Sequence, residues 1–163
     1  MSKTLFILRH AKSSWADTSL ADHDRPLKGR GQRDAPRMGA FMRKHDLLPD
    51  YILCSTAKRA RQTIKLVIEV SQYEGHVKLT PHLYHAEPET IVEVLHNVPD
   101  DYERVMIVGH NPGLEMLVES LTDEWESLPT TALAQIALPI DRWEALSEDT
   151  EGTLVGLWTP REL

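Results

Sequence analysis

The run Leu5-Phe6-Ile7-Leu8-Arg9-His10-Ala11-Lys12-Ser13 decides the reading of the fold. Four large apolar residues in succession mark a strand buried on both faces, as strands are when helices cover both sides of a parallel sheet. The run stops at an arginine and a histidine, so two basic groups stand where the strand leaves the core. Two further segments repeat the arrangement: Tyr51-Ile52-Leu53-Cys54-Ser55 leads to Arg59, and Val105-Met106-Ile107-Val108-Gly109 leads to His110. Open parallel sheets bind ligands in the crevice beyond the carboxyl ends of their strands. With the three strands parallel, Arg9, Arg59, His10 and His110 meet on one rim, which makes an anion site that contains a nucleophile.

Working outward, the spacing predicts strands at about 4–8, 51–54, 77–80 and 104–108, alternating with helices. Ala35, Met38, Phe41 and Met42 set the first helix, with Pro36 predicting a kink or a start near that residue. Ala60, Ile64, Val67 and Ile68 set the second, from Ala57 to about Ser71, with Ser55 or Thr56 as its cap. Pro88 opens a third that runs to about His96. Asn111 and Pro112 read as cap and first residue of a fourth, whose stripe is Leu114, Leu117, Val118 and Leu121. Two extended runs, 131–138 and 152–158, complete the sheet, at least one of them antiparallel. This alternation implies a single three-layer α/β/α domain over residues 1–163, with a mostly parallel central sheet and an antiparallel edge.

Bulk composition narrows the function. With 18 Lys+Arg against 25 Asp+Glu the net charge is -7, which argues against nucleic acid and anionic membranes as partners, so an anionic substrate must be drawn by a local pocket. Cys54 is the only cysteine, which removes intrachain disulfides and cysteine-based metal clusters. No run approaches the ~20 apolar residues of a membrane span, and the amino terminus enters a strand directly, so a cytoplasmic location is expected.

Phosphoryl groups suit this constellation. Arg9 and Arg59 can each offer a planar, bidentate donor set to phosphate oxygens, His10 can attack as a neutral imidazole, and His110 can donate to the transferred group. The positive charge comes from side chains, so the scheme needs neither metal nor cofactor. Lys12 and Ser13 lie close enough in sequence to join the phosphate contacts; the alternative for Lys12 is exposed surface. Trp15 either lines the rim or packs. His23, His45, His76, His82, His85 and His96 lack metal-ligand spacing and read as surface or loop residues.

Leu8-Arg9-His10-Ala11, the segment Ser55 to Thr63, and Gly109-His110-Asn111-Pro112-Gly113 together resemble the motifs of the histidine phosphatase superfamily, and Pro26 to Gly31 resembles the segment after its first loop. The resemblance implies a phosphoglycerate mutase-like fold and a covalent phosphoenzyme on His10, with Arg9, Arg59 and His110 completing the phosphate pocket. Ala11 and the short chain look most like the small bacterial phosphohistidine phosphatases of the SixA type. The implied partner is a phosphohistidine-containing protein, such as a histidine phosphotransfer domain. The alternatives are a phosphomonoesterase for a small phosphorylated metabolite and a phosphate-binding module without turnover. Mutase-like relatives carry a glutamate after the third strand, which makes Glu87 a candidate general acid; its other reading is a charge at a helix start. The sequence leaves the oligomeric state open.

Overall fold

The computed structural model describes residues 2–163. Six strands form one sheet: β1 (Lys3–Arg9), β2 (Tyr51–Ser55), β3 (His76–Thr80), β4 (Arg104–Gly109), β5 (Leu133–Leu138) and β6 (Thr153–Trp158). Their spatial order is β3-β2-β4-β1-β5-β6. The first four are mutually parallel, while β5 runs antiparallel to both β1 and β6. Four helices connect them: α1 (Gly29–Lys44), α2 (Lys58–Ser71), α3 (Pro88–His96) and α4 (Gly113–Thr122). The fold is the phosphoglycerate mutase-like α/β/α arrangement, a mostly parallel sheet with an antiparallel edge.

Side-chain alternation along β1 explains the layers. Leu5 and Ile7 pack with residues of α3 and α4, whereas Phe6 and Leu8 pack with residues of α1 and α2. All four are fully buried, each contributing about 1.5–3 kcal/mol of burial. One connection leaves β1 toward the α1 and α2 face, and the connection from its parallel neighbour β4 leaves toward the opposite face. Adjacent strands whose connections diverge in this way open a crevice between their carboxyl ends. In the β1–β4 register Arg9 stands opposite Gly109, so His10 and His110 emerge abreast into that crevice.

Four local expectations need correction. Helix α1 begins at Gly29 and runs through Pro36 to Lys44 instead of starting near the proline. The carbonyl that loses its helical donor belongs to Gln32, an exposed residue, so water can take the missing N–H's place, while Ala35, Met38 and Met42 hold the inner face in the core. At α2 the capping position is Ala57 rather than Ser55 or Thr56, and no side chain caps it. At α4 it is Pro112, and the Asn111 amide donates to the Leu128 carbonyl (2.8 Å) instead of capping the helix. The strand expected from residue 131 begins at Leu133, because Thr131 turns with φ 67° and donates its N–H to the Arg9 and His10 carbonyls (3.1 Å each).

Candidate active site

His10 follows β1 directly and is 6% exposed. Its Nδ1 lies 2.7 Å from the Ala11 carbonyl. A carbonyl only accepts, so Nδ1 carries the ring proton and Nε2 keeps its lone pair. Burial, opposed by that backbone hydrogen bond and reinforced by the charges of Arg59, Arg9 and Arg25, lowers the His10 pKa to about 4. The imidazole is therefore neutral at neutral pH, with Nε2 available for attack.

His110 stands beside it, the two ring centroids 5.1 Å apart. Ser55 at the end of β2 accepts from the Ala57 N–H (3.2 Å), which leaves its own hydroxyl proton for His110 Nε2 at 2.8 Å. With the hydroxyl donating, the His110 proton sits on Nδ1, which is buried without a protein partner. Burial first, then His10, Arg59 and His85, lower its pKa to about 3 against the opposing pull of Asp22. A buried donor left unpaired costs about 1–3 kcal/mol.

The arginines present the same feature. Arg9 Nη1 donates to the Leu128 carbonyl (2.9 Å), and Arg59 gives Nη1 to the Asp22 carbonyl (2.8 Å) and Nη2 to the Asp22 carboxylate (3.1 Å). The Nε of each is buried without a partner. Arg9, Arg59 and His110, each with one buried nitrogen that has no protein partner, line one cavity of about 230 Å³ together with His10. Groups so arranged are suited to an oxyanion, since donors already in position need no reorganisation when charge arrives.

Helix α2 is tied to the loop bearing the imidazole through Thr63, whose hydroxyl donates to the Arg59 carbonyl (2.7 Å) and accepts from the Ala11 N–H (2.9 Å). Gly31 allows the first turn of α1 to lie against the Lys12 backbone, where any Cβ would collide with the carbonyl.

Six of the predicted site residues, Arg9, His10, Lys12, Ser13, Arg59 and His110, line this one cavity. The Ser13 hydroxyl is engaged there, accepting from Arg25 Nη1 at 2.9 Å. Glu87 lies outside: it is exposed and lines a neighbouring cleft with Pro112 and Met116. A larger cleft of about 480 Å³ lies between α1 and α2 and contains none of the predicted residues. Among the described residues no group of three His, Cys, Asp or Glu side chains is placed to hold a metal ion.

Sequence reasoning missed Asp22, Arg25, Tyr84 and His85. Asp22 is the hub. Its carboxylate accepts from Tyr84 Oη, Arg59 Nη2 and Arg25 Nε (3.0 Å), and pairs with His85 Nε2 (3.2 Å). Burial favours its neutral form, but Tyr84, Arg59 and Arg25 outweigh that and hold the carboxyl far below the usual carboxylate range. His85 is exposed, as expected of a surface or loop residue, and it also lines the cavity. Arg25 stacks on Trp15 with 3.5 Å between guanidinium carbon and ring centroid, and Trp15, 69% exposed, borders the cavity rather than packing in the core. The only signal for these residues was their place in polar loops near the motifs.

Comparison with known proteins gives the family and supports the fold. Residues 5–85 match the model of the histidine phosphatase superfamily (branch 1). An uncharacterised protein of Mycobacterium tuberculosis is 34% identical, over 94% of this chain and 100% of its own length. An uncharacterised chloroplastic protein of Arabidopsis thaliana is 35% identical, over 98% of this chain and 79% of its own. A crystal structure assigned as the phosphohistidine phosphatase SixA of Agrobacterium tumefaciens superposes with a TM-score of 0.84 at 26% identity, covering 98% of this chain and 99% of that one. The chain belongs to the histidine phosphatase superfamily, and its structural neighbours include proteins assigned to the SixA type.

Proposed function

We propose that this protein is a metal-independent phosphatase that removes phosphate from a phosphohistidine-bearing protein through a phosphohistidine intermediate on His10. The observation that carries this reading is that His10, with its Nε2 lone pair free, lines one cavity with Arg9, Arg59 and His110, each of which holds a buried nitrogen without a protein partner. His10 Nε2 attacks phosphorus, the bond to the leaving nitrogen breaks, and the charge of the phosphoryl oxygens is met by Arg9, Arg59 and His110. Water then attacks the same phosphorus and returns the electron pair to Nε2, releasing orthophosphate. Residues 1–163 act as one histidine phosphatase domain in this scheme, working in the cytoplasm without a cofactor.

The protein-borne substrate is inferred from the rim. The cavity reaches solvent beside Trp15 and His85, both exposed, and small metabolites are generally enclosed more completely. An imidazole is also a good leaving group. The kinship with structures assigned as SixA phosphohistidine phosphatases supports the same substrate class.

Incubation with a radiolabelled phosphohistidine protein is expected to transfer an acid-labile label to the wild type and none to His10→Ala, with orthophosphate released only by the wild type. Labelling that survives His10→Ala would sink the nucleophile assignment. Binding of phosphate without any turnover would instead support a binding module.

A further inference from the structure

We propose that His85, oriented by Asp22, is the proton donor to the leaving group, and that the site therefore also turns over phosphomonoesters whose leaving group is an oxygen. The inference rests on His10 being the nucleophile and adds a residue and a substrate class to that reading. In-line displacement places the leaving group opposite the attacking nitrogen. His10 lies on the cavity floor, so the leaving group points toward the mouth. His85 is there: it lines the cavity, its side chain is more than half exposed, and its ring centroid is 5.8 Å from that of His110.

The groups facing His85 come from three segments. Asp22, on the turn Asp22–Asp24, contacts Nε2 at 3.2 Å; the Tyr84 ring lies 4.1 Å away; His110 approaches from the end of β4; and Arg59 stands behind Asp22. The Asp22 carboxylate accepts from Nε2–H and fixes the ring, so the proton within reach of a leaving group is the one that the imidazolium carries on Nδ1. Asp22 itself, held ionised by its partners, cannot be the donor, and Glu87 lies outside the cavity. The backbone of His85 is left-handed, with φ 53°, a conformation rare for a residue with a side chain. Its loop is seated by Gly113, where a Cβ would collide with the Ala86 carbonyl.

The step balances. As His10 Nε2 bonds to phosphorus, the P–O bond breaks, its electron pair stays on the leaving oxygen, and the His85 proton moves to that oxygen to give the alcohol. Neutral His85 then takes a proton from the water that attacks phosphohistidine. The P–N pair returns to His10, orthophosphate leaves, and His85 is cationic again.

The test compares wild type and His85→Gln on p-nitrophenyl phosphate, whose leaving group needs no proton, and on glycerol phosphate, whose leaving group does. In kcat/KM, which reports the phosphorylation half-reaction, the variant is expected to lose ~10²- to 10⁴-fold on the alkyl ester and less than ~10-fold on the aryl ester, while the hydrolysis of phosphohistidine slows equally for both. Added imidazole should restore alkyl turnover to His85→Ala. Equal kcat/KM losses on both esters, or a wild type that discharges phosphohistidine protein yet leaves both esters intact, would overturn the proposal. Absence of acid-labile label on wild-type His10 marks failure of the underlying nucleophile assignment instead.

Discussion

The floor and the mouth of the cavity are built by different means. On the floor, His10 and His110 extend from adjacent strands in fixed register, and Arg59 sits in the first turn of a helix packed on the sheet; the three are 6%, 5% and 3% exposed. At the mouth, Trp15, Arg25, Tyr84 and His85 come from loops, and Arg25, Tyr84 and His85 are joined by contacts to one carboxylate, Asp22. In the proposed reaction the sheet thus fixes the position of phosphorus, and the loops decide what can be attached to it.

The contrast can be tested from its strong end to its weak one. Arg59→Ala attacks the floor and should lower kcat by ~10²- to 10³-fold, the loss expected when a transition-state donor is removed; steady-state kinetics on an aryl phosphate would check it, and Arg59→Lys should recover only part of the rate because the planar fork is gone. Asp22→Asn attacks the mouth. It removes the charge that aligns Arg59, Arg25 and His85 while keeping the shape, so a smaller loss of roughly 10- to 100-fold is expected, by analogy with outer carboxylates that orient metal ligands. Should Asp22→Asn prove as damaging as Arg59→Ala, floor and mouth would not be separable.

Acid stability sharpens the same comparison. His10 and His110 have folded-state pKa values of about 4 and about 3, below the 6.5 of a free histidine. Lowered values in a base mean that the unfolded chain binds more protons, so stability is complete above about pH 6.5 and falls as the pH drops toward 4. For His10 alone the loss is on the order of 3 kcal/mol. Denaturant melts between pH 7 and 4 should show it, reduced in the double variant His10→Gln/His110→Gln. At the weak end, Glu87→Gln should change turnover by less than about twofold, since an exposed residue outside the cavity supplies none of the acid-base catalysis.

Much of the floor was legible in the sequence because it obeys periodic rules. Apolar runs that end in Arg9-His10 and Gly109-His110, and a helix stripe beginning beside Arg59, fix both the elements and their direction. The mouth was not legible. Asp22 and Arg25 lie in a polar segment without periodicity, and their meeting with Tyr84 and His85 depends on two loops far apart in the chain. The caps failed for a related reason: Ser55 and Asn111 are good capping residues, but tertiary partners, His110 and the Leu128 carbonyl, claim their side chains. Pro36 pointed to a kink or a later start because proline is costly inside a regular helix, whereas the carbonyl it frees belongs to exposed Gln32 and can be hydrated.

Thr63 deserves the last measurement, because one hydroxyl spans the helix that carries Arg59 and the loop that carries His10. It acts as a caliper between attacking atom and clamp. Thr63→Ser preserves the gap, whereas Thr63→Val fills the same volume but strands the Ala11 N–H, at about 1–3 kcal/mol. Comparing melting temperature and phosphate affinity of the two variants would show how much of the anion's grip is a matter of spacing alone.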